Sequence, residues 1–241
     1  MRIDYENGDW YEGETDTAGD PHGTGTYYFS DGGRYDGDMY HGRIHGHGVY
    51  WQADGTVYIG MFWNNAPNGT GKYTYGNGDV YEGEVKQASP HGKGKLTYHS
   101  GHVYEGDFAD GRENGTGRMA FPDGSVYEGE FRDGAGHGKG RAVFSDGSIY
   151  DGEMTEGKMT GKGIFLYADG RTYAGMLSDG EPKGHGRFTL PDGRSFEGDW
   201  DGQDTATGVT ATSDSGEKLC GRVTHGRFVP SGPAGTETPG T

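Results

Sequence analysis

Residues 104–131 read Tyr104-Glu105-Gly106-Asp107-Phe108, then Gly115-Thr116-Gly117, then Asp123-Gly124, and begin again at Tyr127-Glu128-Gly129-Glu130-Phe131, 23 residues further on. A fixed period of this kind marks a tandem array, in which each unit buries its apolar face only by stacking on its neighbours. Working outward, the aromatic start of the unit recurs at Tyr11, Tyr35, Tyr58, Tyr81, Tyr104, Tyr127, Tyr150, Tyr173 and Phe196. The first step is 24 residues and every later one is 23; the extra residue lies between Gly13 and Gly23, in a stretch read as loop, where an insertion costs little. Glycine follows the same register, two residues after each start and again in the Gly-x-Gly pairs from Gly23/Gly25 to Gly184/Gly186. The glycines are therefore positional, unlike the aperiodic enrichment of low-complexity chains.

Within the unit, apolar and polar residues alternate with period two, which predicts strand. In the first strand, positions 1, 3 and 5 are Tyr, Gly and an apolar residue (Met39, Phe62, Val85, Phe108, Phe131, Met154, Leu177, Trp200), while positions 2 and 4 are mostly acidic. The second strand carries an aromatic or apolar face, such as Tyr73/Tyr75 and Phe165/Tyr167, and the opposite face opens with a base at Lys72, Lys95, Arg118, Arg141 and Arg187. Each unit thus reads as a β-hairpin, with the Asp-Gly turns joining one hairpin to the next. The predicted fold is all-β: a single-layer antiparallel meander of tandem hairpins forming an elongated, twisted, grooved ribbon. With no second layer to cover the apolar face, the ribbon has to curl on itself, and glycine at position 3 lets a neighbouring aromatic lie over bare backbone. Acids and bases on adjacent strands of the other face can pair for ~0.2–1 kcal/mol each.

This pattern resembles the MORN repeat family (membrane occupation and recognition nexus), whose unit runs Tyr-x-Gly-x-aromatic, Gly-x-Gly, Asp-Gly. The resemblance covers about residues 1–228, with eight good copies and one degraded. It divides the chain into a partial repeat at 1–10, eight repeats at 11–195, degenerate repeats at 196–228 and a Pro/Gly/Thr-rich tail at 229–241 expected to be disordered. The array opens on a lone strand, a natural cap or a cut repeat. It decays where Thr207-Gly208-Val209 replaces Gly-x-Gly and Leu219-Cys220-Gly221 replaces Tyr-x-Gly.

The formal net charge is −16, with 37 acidic against 21 basic residues. That balance argues against nucleic acid as a partner, because phosphate neutralisation needs Lys and Arg. It also disfavours direct binding to an anionic membrane. A single cysteine excludes an internal disulfide framework. There is no apolar leader, no apolar run of membrane length and no lipidation signal, so a cytoplasmic setting is the expectation. The two sequons, at Asn68 and Asn114, are products of the repeat.

No catalytic constellation is apparent. The glycine pairs lack the Lys-Ser/Thr and the following helix of a phosphate loop. Asp110 to Gly115 falls short of a calcium loop because Phe121 stands where the bidentate glutamate belongs. The paired carboxylates read as a solvated face. His22, His45, His91 and His137 share one place before Gly-x-Gly and read as consensus residues of the hairpin loop. Cys220 and His225 are half of a zinc site; two chains meeting about a two-fold axis would supply Cys2His2. No other cofactor is expected.

The charged face is interrupted twice. Ile59 and Met61 replace acids beside Val49 and Trp51, and Ala174 and Met176 replace acids beside Ile164 and Leu166. Apolar islands on a charged surface are candidate partner sites. A second candidate is a groove of the aromatic face, lined by Tyr35, Tyr58, Phe62, Tyr81, Tyr104, Phe108, Tyr127, Phe131 and Tyr150, that would receive an extended segment or a helix. The family resemblance implies a non-enzymatic scaffold for other proteins at cytoskeletal, flagellar or membrane-adjacent structures, with dimerisation through a terminal repeat. Two alternatives remain beside it: a phospholipid-binding or membrane-tethering module, and an accessory subunit of an enzyme. About 13 residues follow the array, too few for a catalytic domain.

Overall fold

The computed structural model describes residues 1–233. Among them are twenty-one β-strands and no helix, so no helix is long and apolar enough to cross a membrane. By its contacts the chain divides into two compact units, Met1–Pro122 and Asp123–Thr241.

The first unit contains β1 (Arg2–Asp4), β2 (Trp10–Thr15), β3 (Pro21–Tyr28), β4 (Arg34–Tyr40), β5 (Arg43–Trp51), β6 (Val57–Trp63), β7 (Ala66–Thr74), β8 (Val80–Lys86), β9 (Ser89–Thr97), β10 (Val103–Ala109) and β11 (Arg112–Ala120). Each strand pairs antiparallel with the next in sequence. The second unit contains β12 (Val126–Arg132), β13 (Ala135–Val143), β14 (Ile149–Thr155), β15 (Lys158–Leu166), β16 (Thr172–Ser178), β17 (Glu181–Thr189), β18 (Ser195–Asp201), β19 (Ala206–Thr212), β20 (Lys218–Thr224) and β21 (Arg227–Pro233), again paired in sequence order. The antiparallel meander of hairpins is thus the architecture of each unit. Pairing continues five residues past 228, because Leu219 and Cys220 align with Pro233 and Gly232. The rest of the expected tail, 234–241, lies outside the described residues.

Two kinds of turn alternate. Inside the repeats from β4–β5 to β16–β17 the connection has two residues, as at Asp110-Gly111 with φ of 49° and 84°. Two left-handed residues in succession define the type I′ turn, whose twist matches that of the strands it joins. The tip also extends the ladder sideways: the Gly111 N–H donates to the carbonyl of Pro90 on the preceding hairpin at 3.0 Å. Between repeats the Asp-Gly glycine holds the left-handed position of a longer turn. At Gln52–Thr56 the Gln52 N–H donates to the Thr56 carbonyl at 2.8 Å and the Gly55 N–H to the Gln52 carbonyl at 3.1 Å.

The Gly-x-Gly pair lies inside the second strand of each repeat, and so do the histidines before it, for which the sequence suggested the hairpin loop. Gly106 pairs with Gly117, whereas Phe108 pairs with Glu113, so Asp107 alone faces Asn114, Gly115 and Thr116. This is a β-bulge, and Gly115, at φ 110°, supplies its left-handed residue. The bulge adds two residues to one strand without a loop, so the hydrophobic period does not reveal it.

Candidate docking groove and the glycine row beneath it

Glycine pairs with glycine across the whole first unit from Gly13 and Gly25 to Gly106 and Gly117. In the second unit the row runs from Gly129 and Gly140 to Gly186 and Gly198, and Val209 ends it. The position-1 tyrosine lies along this row. A Cβ on Gly117 would meet the hydroxyl and ring carbons of Tyr104, and the same holds at every corresponding glycine from Gly25 to Gly186.

Each of these eight tyrosines donates its hydroxyl to the carbonyl of the residue three further on, from Tyr11 to Glu14 through Tyr104 to Asp107 and Tyr173 to Met176, at 2.5–3.1 Å. The accepting carbonyl belongs to position 4, the residue opposite the bulge. A buried tyrosine hydroxyl needs such a partner, and burial pushes Tyr58, Tyr81, Tyr127, Tyr150 and Tyr173 up to about 12.

Position 5 completes the packing. Phe108 stands edge-on to its own Tyr104 at 5.1 Å and to Tyr81 of the preceding repeat at 5.0 Å; Phe62 does the same with Tyr58 and Tyr35. Each such pair adds ~0.5–1.5 kcal/mol beyond the area it buries. The layer is therefore filled along its own length.

This packing corrects the expected aromatic groove. Tyr35, Tyr58, Phe62, Tyr81, Tyr104, Phe108, Tyr127, Phe131 and Tyr150 are all at most 5% exposed. They are core, because the glycine row lets the chain's own backbone cover the rings a partner would have had to reach. Phe108 borders a hollow of about 450 Å³ with Tyr75, Pro90 and Leu96, but the position-1 tyrosines line none of it.

The outer face differs. The acid at position 4 caps the bulge: Asp38, Glu84, Asp107 and Glu130 accept the backbone N–H of His47, Lys93, Thr116 and Lys139 at 2.9–3.0 Å. Cross-strand ion pairs join Lys72 to Glu82 at 2.6 Å and Lys93 to Asp107 at 2.5 Å. Being exposed, such pairs contribute little to stability.

Both apolar islands interrupt this face at the capping position. Met61 faces Gly69 and Met176 faces Gly184, and neither side chain offers a carboxylate to the bulge. In the first island, Val49 pairs with Ile59 and Trp51 with Val57, and the Arg34 guanidinium covers the Trp51 ring at 4.8 Å. Ile59 is the most open of the four at 52%.

The second island sits in a concavity of about 840 Å³ on the outer face of β13–β18. Ile164, 56% exposed, lies opposite Ala174, and Met176, 37% exposed, lies opposite Lys162. Gly152, Gly163, Gly175 and Gly186 line the same concavity. Lys139, Lys162, Arg187, Asp151, Glu153 and Glu197 rim it with both signs of charge. Leu166, 38% exposed, lies one strand position beyond Ile164's next neighbour, pairing with Ile149 and Thr172. The sequence identified this island but placed the groove on the opposite face.

Cys220 is a half-buried free thiol on β20, and His225 occupies the first position of the β20–β21 turn at φ 49°. Neither belongs to the one three-residue group of metal-ligating side chains among the described residues.

The repeat recognised by its Tyr, Gly and Asp-Gly positions is also recognised by a family model. The MORN repeat model matches eight consecutive segments: 17–34, 35–57, 58–80, 81–103, 104–126, 127–149, 150–170 and 173–193. The chain belongs to the MORN repeat family. Its matched repeats place Tyr35, Tyr58 and each later position-1 tyrosine at the start of a segment. No curated protein matches the chain. Among solved structures, the MORN array is similar to the TCP10 domain of Danio rerio CPAP, determined in complex with a peptide of Danio rerio STIL. The TM-score is 0.54 at 15% identity, covering 95% of this chain and 96% of that one. The TCP domain of Drosophila melanogaster SAS-4, in complex with a proline-rich motif of Ana2, matches with a TM-score of 0.42 at 11% identity, covering 72% of this chain and 88% of that one. The first of these likenesses is one of fold.

Proposed function

We propose that this MORN protein is a non-enzymatic scaffold that receives a segment of a protein partner in the concavity on the outer face of β13–β18. The observation carrying the proposal is the floor of Ile164, Ala174 and Met176 within a rim of mixed charge. Exposed apolar area enclosed by polar residues is the ordinary anatomy of a docking site. The repeat also gives up something here. Where Asp38, Glu84, Asp107 and Glu130 cap the bulge of their repeats with a carboxylate, this repeat carries a methionine, a weak acceptor but an adaptable apolar surface. The peptide complex of the similarly folded TCP10 domain is consistent with a partner segment as the occupant.

An intracellular, cytoskeleton- or membrane-adjacent setting belongs to the same proposal, as does self-association through Cys220, His225 and zinc.

A selection of displayed peptides on the immobilised chain tests the docking site. Peptides enriched on the wild type should lose at least about tenfold in affinity for Ile164→Asp, the scale of one lost apolar anchor. Equal binding to both would overturn the assignment.

A further inference from the structure

The first MORN repeat departs from the others in its turn. In place of two residues, the β2–β3 connection has five, Asp16 to Asp20. The extra residue, read from the sequence as a tolerated insertion, brings a carboxylate to the outside of the next hairpin tip. There Asp16 Oδ2 lies 2.8 Å from His41 Nδ1. His22, at the start of β3, places its ring 4.9 Å from that of His41.

We propose that Asp16, His22 and His41 form a binding site for a divalent transition-metal ion of the zinc class, clipping the β2–β3 loop to the β4–β5 turn. One ligand atom from each residue lies within 4.8 Å of the other two. Two ligands about 2.0–2.1 Å from a tetrahedral ion are about 3.3 Å apart, so the group closes on an ion by side-chain rotation alone. Two imidazoles and a carboxylate are a donor set that suits zinc and its neighbours, with a water completing the coordination. Calcium and magnesium prefer all-oxygen sites.

The carboxylate is held in place before any ion arrives. Asp16 Oδ1 accepts the N–H groups of Ala18 at 2.9 Å and Asp20 at 3.0 Å, which fixes Oδ2 toward His41. Outer contacts of this kind orient a metal ligand and raise its affinity. The side chain is only 14% exposed. His22 Nδ1 receives the His41 N–H at 3.5 Å, the outer limit of a hydrogen bond, so turning to an ion costs that ring little.

The chain contains its own controls. His45 is the repeat counterpart of His22, but the turn position matching His41 is then Asn64. His91 and His137 likewise lack a five-residue loop beside them. Accordingly this trio is the one such group among the described residues.

The test is a Zn²⁺ titration of the full chain, free of any affinity tag, against a chromophoric chelator. The variants borrow residues from sister repeats so that the fold survives: His22→Asn, as at Asn68, and His41→Asn, as at Asn64, whose φ of 47° matches the 46° of His41. Each should weaken Zn²⁺ binding at least about tenfold when measured in a Cys220→Ser background, which removes the separately proposed C-terminal zinc ligand, while His45→Asn in that background leaves it unchanged. Absence of saturable binding in Cys220→Ser, or binding there that His22→Asn and His41→Asn leave undiminished, would overturn the site.

Discussion

The Tyr104 hydroxyl donates to the Asp107 carbonyl at 2.9 Å, and the same Asp107 holds the Thr116 N–H on its side chain, also at 2.9 Å. One residue therefore ties the buried face of the hairpin to the bulge on its outer face. Losing the first contact takes a donor away from a part-buried carbonyl. Tyr104→Phe should cost about 1–2 kcal/mol, measured by denaturant unfolding with an unchanged m-value. A cost near zero would mean that the hydroxyl contact is dispensable.

The glycines of the unit have separate duties, and substitution separates them. Gly117 carries no positive φ, but a Cβ there runs into the Tyr104 ring. Gly124 has nothing within 4 Å of a Cβ but sits at φ 91°. Gly117→Ala should therefore destabilise by about 1–3 kcal/mol or more through overpacking, and Gly124→Ala by about 1 kcal/mol through backbone strain alone. Thermal melting of the two variants side by side checks the order, and the reverse order contradicts it.

Alkaline pH probes the buried tyrosines together. Tyr58, Tyr81, Tyr127, Tyr150 and Tyr173 are pushed up to about 12 by burial, against about 10 in an unfolded chain. A folded pKa above the unfolded value gives stability that is whole below pH ~10 and is lost as pH rises toward ~12. Tyrosinate absorbance from these residues should appear together with loss of the β-sheet circular dichroism. Their ionisation near pH 10 with the fold intact would contradict the packing described.

The C-terminal repeats carry a separate expectation. If Cys220 and His225 of two chains share zinc, light scattering coupled to size exclusion will show a dimer that a chelator, or Cys220→Ser, converts to monomer. A dimer surviving both treatments removes zinc from that interface.

Much of this architecture is legible in the sequence because the alternation around Tyr104 and Phe108 is strict and repeats without slippage. Other features are hidden for identifiable reasons. Gly115 and Gly117 look alike on the page, yet one turns the backbone and the other makes room for a ring. Asp107 reads as one more solvated acid, because a side chain capping a backbone N–H nine residues away leaves no periodic trace. The tyrosines read as a groove because nothing in the pattern says that their own backbone will cover them. Asp16 reads as a spare loop residue, since its meaning depends on where the next hairpin tip lands. The apolar pair Ile164 and Met176 was visible as a break in the charge pattern, but which face is concave is a property of the assembled sheet.

The most direct test of the docking groove is to restore the missing cap. Met176→Asp puts a carboxylate opposite Gly184, where Asp107 stands opposite Gly115 in its own repeat. The melting temperature should hold or rise, by the equivalent of about 0.5–1.5 kcal/mol for one added hydrogen bond, while peptides selected on the wild type bind at least about tenfold more weakly. Undiminished peptide binding by this stably folded variant would contradict the assignment of the outer face of β13–β18 as the site where a partner docks.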